Sequence, residues 1–145
     1  MVIHGAVTGS QYLAGVIGEI SHDDGTCPAC LDKTNIKVDG NAVNGAITSV
    51  DDYVQVIAGI VGHANLRYVN STFNDNEVNT NITFNDTLGN NTGYIGGIVA
   101  ELDAFGGTNQ ISRNFMGGDI TAQGFDIISS VGAIIGDLNG QPGGS

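Results

Sequence analysis

The sequence predicts an all-β fold, a parallel β-solenoid of about four imperfect repeats of 35–44 residues. Two observations predict it: a glycine-rich apolar phrase occurs four times, and a short strand motif precedes each copy. The phrase occurs as Ala14-Gly15-Val16-Ile17-Gly18, Ala58-Gly59-Ile60-Val61-Gly62, Gly96-Gly97-Ile98-Val99-Ala100 and Gly132-Ala133-Ile134-Ile135-Gly136. Its copies are 44, 38 and 36 residues apart, and repetition at this spacing is typical of solenoids, propellers and arrays.

The upstream motif repeats in step with the phrase. It occurs as Ala6-Val7-Thr8, Ala46-Ile47-Thr48, Asn81-Ile82-Thr83 and Asp119-Ile120-Thr121, at steps of 40, 35 and 38 residues. Two motifs that repeat together arise by chance much less readily than one. We therefore expect successive repeats to stack, each covering the apolar side of its neighbour.

The composition fits one domain and excludes several other classes. A chain of 145 residues can bury a core without a partner. Its 23 glycines and 2 prolines show neither the three-residue period of collagen nor the proline content of an extended linker. The formal net charge of -11 opposes binding to nucleic acid or anionic lipid, so neither partner is expected. No apolar run approaches the roughly 18–20 residues that span a bilayer, so this segment is not expected to insert into a membrane.

The chain begins with a partial repeat, residues 5–20, followed by a polar loop, residues 21–33. Residues 5–10 and 12–18 read as two short strands joined by a Gly-Ser turn. The loop contains both cysteines and interrupts the period, which explains why the first step is the longest. Because the first repeat is partial, we expect the chain to be a piece of a longer protein.

The second and third repeats are residues 34–64 and 65–102. In the second, Ile36 and Val38 alternate with polar residues before a Gly-Asn turn, and a continuous apolar run follows at 54–61. We expect that run to be one strand covered on both faces, since Gly59 and Gly62 disfavour a helix. The third repeat is rich in asparagine, and its strands are expected at 67–73, 81–84 and 94–99.

The fourth repeat, residues 108–140, carries a resemblance to a known family. Residues 96–136 read Gly-Gly-Ile-Val, a short loop, Gly-Thr-x-x-Ile-Ser-x-x-Phe, Gly-x-Ile-Thr and Val-Gly-x-Ile-Ile-Gly. This order resembles the GLUG-motif repeats of bacterial surface adhesins, which pair a Gly-Gly-Leu-Val-Gly phrase with an Ile-x-Asn-x-x-x-x-Gly-x-Val strand and turn. The chain departs from that pattern at Ala100 and at Gly132-Ala133. The resemblance implies a stacked β fold and a surface location.

Stacking makes two further predictions. Asparagines at the corners of successive coils should form side-chain ladders and turn bonds, which accounts for their number without a functional role. The open ends of the stack should be capped or should join another subunit, because unpaired strand edges are prone to pairing.

Cys27 and Cys30 are the only cysteine pair in the chain. A disulfide between them is the preferred interpretation. Alternatively, the two thiolates could supply half of a zinc site that His4, His22 or His63 completes. A redox role is disfavoured because the βαβ context of thioredoxin-like proteins is missing.

Four candidate glycosylation sequons lie within 23 residues of the third repeat, beginning at Asn70, Asn81, Asn85 and Asn90. Such triplets also arise readily in a segment rich in asparagine and threonine. Glycans are expected only if the protein is exported from a cell that attaches them.

The acidic and basic residues give little indication of a site. Acidic clusters occur at Asp23-Asp24, at Asp51-Asp52, and at Glu101 with Asp103. Calcium binding by these carboxylates is chemically feasible, but no Asp-x-Asp-x-Asp-Gly loop occurs, so a solvated acidic surface is the preferred interpretation and no cofactor is expected. The four basic residues are scattered, and His4, His22 and His63 have no motif partner, so no catalysis is expected.

We therefore expect a non-enzymatic structural or adhesive segment of an extracellular surface protein, such as a stalk or an adhesin repeat. Its partners would be a host or matrix surface, or copies of itself. The first alternative is a self-assembling extracellular filament or sheath subunit. The second is a carbohydrate-binding or polysaccharide-cleaving solenoid, which would need an aromatic platform. The nine aromatic residues lie mostly at strand positions that core packing explains.

Overall fold

The computed structural model describes residues 1–3, 12–23, 35–49, 55–86, 93–124 and 128–141. Within these ranges the chain forms eighteen β-strands, and no helix there could cross a membrane. The strands are β1 (Val2–Ile3), β2 (Tyr12–Ala14), β3 (Ile17–Asp23), β4 (Asn35–Lys37), β5 (Ala42–Val43), β6 (Ile47–Thr48), β7 (Val56–Ala58), β8 (Val61–Arg67), β9 (Asn70–Asn74), β10 (Glu77–Val78), β11 (Ile82–Asp86), β12 (Gly93–Gly96), β13 (Val99–Phe105), β14 (Asn109–Ser112), β15 (Phe115–Met116), β16 (Ile120–Gly124), β17 (Ile128–Gly132) and β18 (Ile135–Gln141).

The strands form five parallel sheets, and each coil of the chain contributes one strand to a sheet. In the order in which one coil visits them, the sheets are I (β4-β9-β14), II (β1-β5-β10-β15), III (β6-β11-β16), IV (β2-β7-β12-β17) and V (β3-β8-β13-β18). Parallel strands need a long connection, and here the rest of a coil supplies it. The fold is the predicted parallel β-solenoid.

The register of the sheets follows the spacing of the sequence repeats. In sheet V, Val61 pairs with Ile17 of the preceding coil and with Val99 of the next. In sheet III, Ile82 pairs with Ile47 and Ile120. These steps of 44 and 38, and of 35 and 38, are the ones predicted from the apolar phrase and from its companion motif.

A single apolar core runs through the coils. Side chains at matching positions of successive coils lie over one another and are almost fully buried in the two middle coils. Its largest fully buried members are Phe73, Phe84, Ile47, Ile57, Ile60, Leu66, Ile82, Ile95, Ile98 and Leu102. Burial of Phe73 and Phe84 confirms that core packing explains these two aromatic residues.

The apolar phrase is a corner between two sheets, and the prediction of one strand across it was wrong. β7 ends at Ala58 and β8 begins at Val61, with Gly59 and Ile60 forming the corner. The N–H of Gly59 donates to Gly97 O at 3.1 Å, and the N–H of Gly15 donates to Gly59 O at 3.0 Å. A Cβ on Gly59 would overlap Gly97 O, so glycine is needed where the backbones of successive coils approach this closely.

Other predicted boundaries were also wrong. The strands expected at 12–18 and 94–99 are each divided by the same corner as the run at 54–61. The strand expected at 67–73 is broken at Tyr68, whose φ of 57° turns the chain between β8 and β9. β3 continues through residue 23, past the start of the polar loop predicted at 21–33. In addition, residues 2–3 form a strand that pairs with Ala42 and Val43, before the partial repeat expected to start at residue 5. Backbone pairing with the next coil, rather than local sequence, sets these limits.

The predicted asparagine ladder is present at the corner between sheets I and II. Asn41 Nδ2 donates to Asn76 Oδ1 at 2.9 Å, and Asn76 Nδ2 donates to Asn114 Oδ1 at 2.9 Å. Asn76 Nδ2 also donates to Val38 O at 2.8 Å. Asn76 is only 1% exposed, so these bonds satisfy a buried amide and tie three coils together at one corner.

The tight corner predicts the effect of adding one methyl group. Gly59→Ala should lower the free energy of unfolding by about 3 kcal/mol, because the new Cβ meets Gly97 O and the side chain of Val78. Gly140→Ala is the matched control, since its Cβ would make only an ordinary contact, 3.6 Å from Ala104 O. Urea unfolding of the two variants checks this expectation, and equal stability of both would contradict it.

Candidate functional site

Most charged groups of sheet V are on side chains that point away from the core. In β8, Ala64 and Leu66 are buried, while His63 and Asn65 alternate with them and lie on the opposite face. The parallel register places one outward residue of each coil in a line, which we call the acidic column. From the first coil to the fourth, the acidic column consists of Glu19, His63, Glu101 and Asp137. Asp103 lies beside this column and is the ladder partner of Asn65.

His63 is surrounded by carboxylates from its own neighbours in the stack. His63 Nε2 lies 3.2 Å from Asp103 Oδ2, within hydrogen-bonding distance, and 3.9 Å from Glu101 Oε2. His63 Nδ1 lies 3.9 Å from Glu19 Oε1, which is too long for a hydrogen bond. We call His63, Glu101 and Asp103 the His63 cluster. Their side chains are 13%, 18% and 23% exposed, so the cluster is set into the surface.

Sheet IV contributes two tyrosines, Tyr12 and Tyr94, to this site. The ring of Tyr12 stacks on the imidazole of His63, with 5.5 Å between ring centroids and 19° between ring planes. Tyr12 and Tyr94 both pack against a small apolar cluster formed by Val56, Ala58 and Ala100, which joins the outer faces of sheets IV and V. The corner at Gly59–Ile60 therefore brings aromatic groups of one sheet against charged groups of the next.

Burial and neighbouring charges change the acidity of two groups at this site, Glu101 and Tyr94. Burial raises the pKa of Glu101, the negative charges of Asp103 and Asp137 raise it further, and His63 opposes this effect. The pKa of Tyr94 is also raised, first by burial and then by the charges of Glu101, Asp137 and Asp103. Three carboxylates, those of Glu101, Asp103 and Asp137, thus lie close enough to act on one another's surroundings, with one imidazole beside them.

Two buried polar atoms at this site have no hydrogen-bond partner, His63 Nδ1 and Asn65 Oδ1. A buried polar atom without a partner is costly, so such atoms are informative about what else the site can hold. Among the described residues, the donor atoms of the His63 cluster all lie within 4.8 Å of one another. The imidazole and the two carboxylates are chemically suited to a divalent metal ion.

Few of the candidate site residues named in the sequence analysis lie near this site. Cys27, Cys30 and Asn90 lie outside the described residues, as do most of the two aspartate pairs. Asn70 Oδ1 accepts from the N–H of Thr108 at 2.8 Å, and Asn81 Oδ1 accepts from the N–H of Asp119 at 3.0 Å. Asn85 lies in β11 and is partly buried. Glycosylation of these asparagines stays a prediction, and Asn81 is the exposed one.

A shallow groove of 240 Å³ lies along sheet I. Lys37, Thr72 and Gln110 are among the residues that line it, and none of its lining residues is aromatic. The groove therefore lacks the aromatic platform that the carbohydrate-binding alternative requires.

No motif in the sequence pairs His63 with another residue, whereas the fold places three carboxylates beside it. The signal was present in the repeat itself: His63 and Glu101 are 38 residues apart, the same step that separates Gly59 from Gly97. Aligning the repeats residue by residue would have placed Glu101 beside His63. Comparisons with models of protein families, with curated proteins and with solved structures found no match. The resemblance to GLUG-motif repeats stays a prediction.

The raised pKa of Glu101 predicts a pH-dependent effect of neutralising it. The folded state holds the Glu101 proton more tightly than the unfolded state, so the stability that this group contributes falls as pH rises from its ordinary pKa through the raised value. In the presence of a chelator, Glu101→Gln should melt at a higher temperature than the wild type at pH 7. The difference should shrink as pH falls below the ordinary pKa of glutamate, where Glu101 becomes protonated in both states.

Thermal denaturation followed by circular dichroism across this pH range measures the difference. Glu77→Gln is the control, because Glu77 is exposed and lies in sheet II. A Glu101→Gln variant that is less stable than the wild type at pH 7 without metal would contradict the expected cost of burying the Glu101 charge beside other carboxylates.

Proposed function

We propose that this chain is a non-enzymatic structural segment of an extracellular surface protein, a stalk or adhesin repeat that holds other parts of that protein away from the cell. The observation that carries the proposal is the repeated parallel pairing of the coils, whose register shifts only at Gly93–Tyr94 of sheet IV among the described strands. Strands of every sheet pair with the same sheet of the next coil, and the corner residues do so as well. A protein that joins many such coils forms a rod, and its backbone hydrogen bonds run along the rod axis.

Several features stiffen this rod. At the corner between sheets IV and V, backbone bonds link Gly15 to Gly59 and Gly59 to Gly97. At the corner between sheets I and II, the asparagine ladder links three coils. An exposed ion pair at the same corner links two of them, since Arg113 Nη2 donates to Asp75 Oδ2 at 2.8 Å. Bending the rod would stretch these bonds on one side. A spacer needs this property, and a small enzyme or a nucleic-acid-binding domain does not.

The surface chemistry agrees with an extracellular structural role. A net charge of -11 keeps such a rod soluble and away from nucleic acid and anionic lipid. The resemblance to GLUG-motif repeats supports the same assignment, with a host or matrix surface as the partner. We propose no catalytic step for this chain.

The structural proposal predicts a stepwise mechanical response. A coil such as the one between Val61 and its ladder partner Val99 holds 38 residues, so its release should lengthen the chain by about 130 Å at about 3.5 Å per residue. Stretching single molecules held at the two termini in a force spectrometer should give force peaks at about this spacing. One event that releases the whole chain, or extension without peaks, would contradict the proposal.

One observation favours the filament alternative as a second candidate. Core residues at matching positions of successive coils form columns, which we call core columns. The core column that contains Ile95 continues to Val131 in the fourth coil, and the one that contains Leu102 continues to Leu138. Val131 and Leu138 are 52% and 60% exposed, whereas Leu13 in the first coil is only 3% exposed. The fourth coil therefore presents core positions that another coil would cover, and a second copy could supply it.

Association through the fourth coil would distinguish the two candidates. A filament subunit should gain mass with rising concentration in light scattering, and Leu138→Lys should weaken this at least tenfold by placing a charge in the contact. Phe115→Lys is the matched control, because Phe115 is 55% exposed but lies outside the core columns, paired with Glu77. A monomer at every concentration would exclude the filament and agree with the stalk.

A further inference from the structure

We propose that His63, Glu101 and Asp103 bind one divalent transition-metal ion, of which Zn²⁺ is the representative, and that the ion links the second coil to the third. This site goes beyond the structural role proposed above and does not depend on it. The three residues come from two neighbouring strands, His63 from β8 and the carboxylates from β13. An ion bound here would join two coils by bonds other than the backbone ladder.

The spacing of the donor atoms fits such an ion. Donors that surround Zn²⁺ tetrahedrally at ~2.0–2.2 Å from the metal lie about 3.3 Å from one another. His63 Nε2 lies 3.2 Å from Asp103 Oδ2 and 3.9 Å from Glu101 Oε2, and the three donors fall within 4.8 Å. Rotation of the Glu101 side chain would bring its carboxylate closer to the other two donors. Three protein donors leave a fourth position on the exposed side for water.

Glu19 occupies the place of the carboxylate that orients a metal-bound histidine. A histidine that binds a metal through one ring nitrogen usually donates its other ring N–H to a carboxylate or carbonyl oxygen. His63 Nε2 faces the two carboxylates of the third coil, while His63 Nδ1 faces Glu19 of the first coil at 3.9 Å. The ring of Tyr12 fixes the plane of the imidazole between them.

The unpartnered buried atoms are an independent indication of a bound ligand. His63 Nδ1 and Asn65 Oδ1 are both buried without a hydrogen bond, and Asn65 is the ladder partner of Asp103. With the ion on Nε2, His63 carries its proton on Nδ1. The Glu19 side chain is 48% exposed and is free to move in from 3.9 Å to accept that proton. The ion would also offset the crowding of negative charge around His63.

The donor set selects among metals. Imidazole is a preferred ligand of zinc and other first-row transition metals, whereas calcium takes six to eight oxygen donors. The His63 cluster offers one nitrogen and two carboxylates. We therefore infer Zn²⁺-type selectivity, with Ca²⁺ bound at least 100-fold more weakly.

Calorimetric titration of the chelator-treated full chain with ZnCl₂, and separately with CaCl₂, tests the site. The expected result is one Zn²⁺ per chain and a rise in melting temperature with excess Zn²⁺. His63→Ala should weaken zinc binding at least 100-fold, and the isosteric Asp103→Asn at least tenfold. Glu19→Gln should weaken it about tenfold through the loss of the orienting carboxylate. Glu77→Gln, an exposed acid of sheet II, is the matched control and should bind as the wild type does.

A double Cys27→Ser, Cys30→Ser variant separates this site from the cysteine pair. Zinc binding that is unchanged by this double substitution and weakened at least tenfold by Asp103→Asn supports the His63 cluster. Zinc binding that is lost with the cysteines and unchanged by Asp103→Asn would assign the zinc to the cysteine pair and overturn the proposal. Absence of zinc binding by the wild type, with the circular dichroism spectrum of a folded chain, would also overturn it.

Discussion

The close approach of successive backbones at the corner between sheets IV and V is the contact on which the rest of the structure depends. There the amide of Gly59 bonds to the carbonyl of Gly97, and the amide of Gly15 bonds to the carbonyl of Gly59. Only a residue without Cβ fits between coils at this distance. Because the corner repeats with the coil, it holds both sheets in register along the whole stack.

In a stack of this kind, the neighbours of a side chain are its counterparts one coil away. Apolar residues at matching positions form core columns, and asparagines at matching corners form a ladder that satisfies its own amides. The same rule is unfavourable for acids, since carboxylates at matching positions repel one another. In the acidic column, His63 separates Glu19 from Glu101. A carboxylate in place of the His63 imidazole would put like charges at all four positions of this column, and they would repel one another along its length.

The proposed structural role and the proposed metal site follow from one property of the fold. A rod made of stacked coils is only as strong as the contact between one coil and the next. Backbone ladders supply that contact in all five sheets, and an ion held by His63, Glu101 and Asp103 would add a bond between the second and third coils. The fourth coil illustrates this dependence on neighbouring coils. Val131 and Leu138 are exposed there, whereas Ile95 and Leu102 at the matching positions of the third coil are covered.

The sequence by itself determined the fold class, the register of the coils and the asparagine ladder, because the repeat steps state which residues become neighbours. It did not determine where strands end: the apolar run at 54–61 divides at Gly59, and the run at 67–73 divides at Tyr68. Corners are fixed by pairing with the adjacent coil, which a local pattern does not contain. The His63 cluster was likewise decided only by the tertiary structure. Repeat spacing sets Glu101 beside His63. How two sheets meet at a corner decides the rest: the partial burial of His63 and Glu101, the contact of Asp103 with His63, and the stacking of the Tyr12 ring on His63.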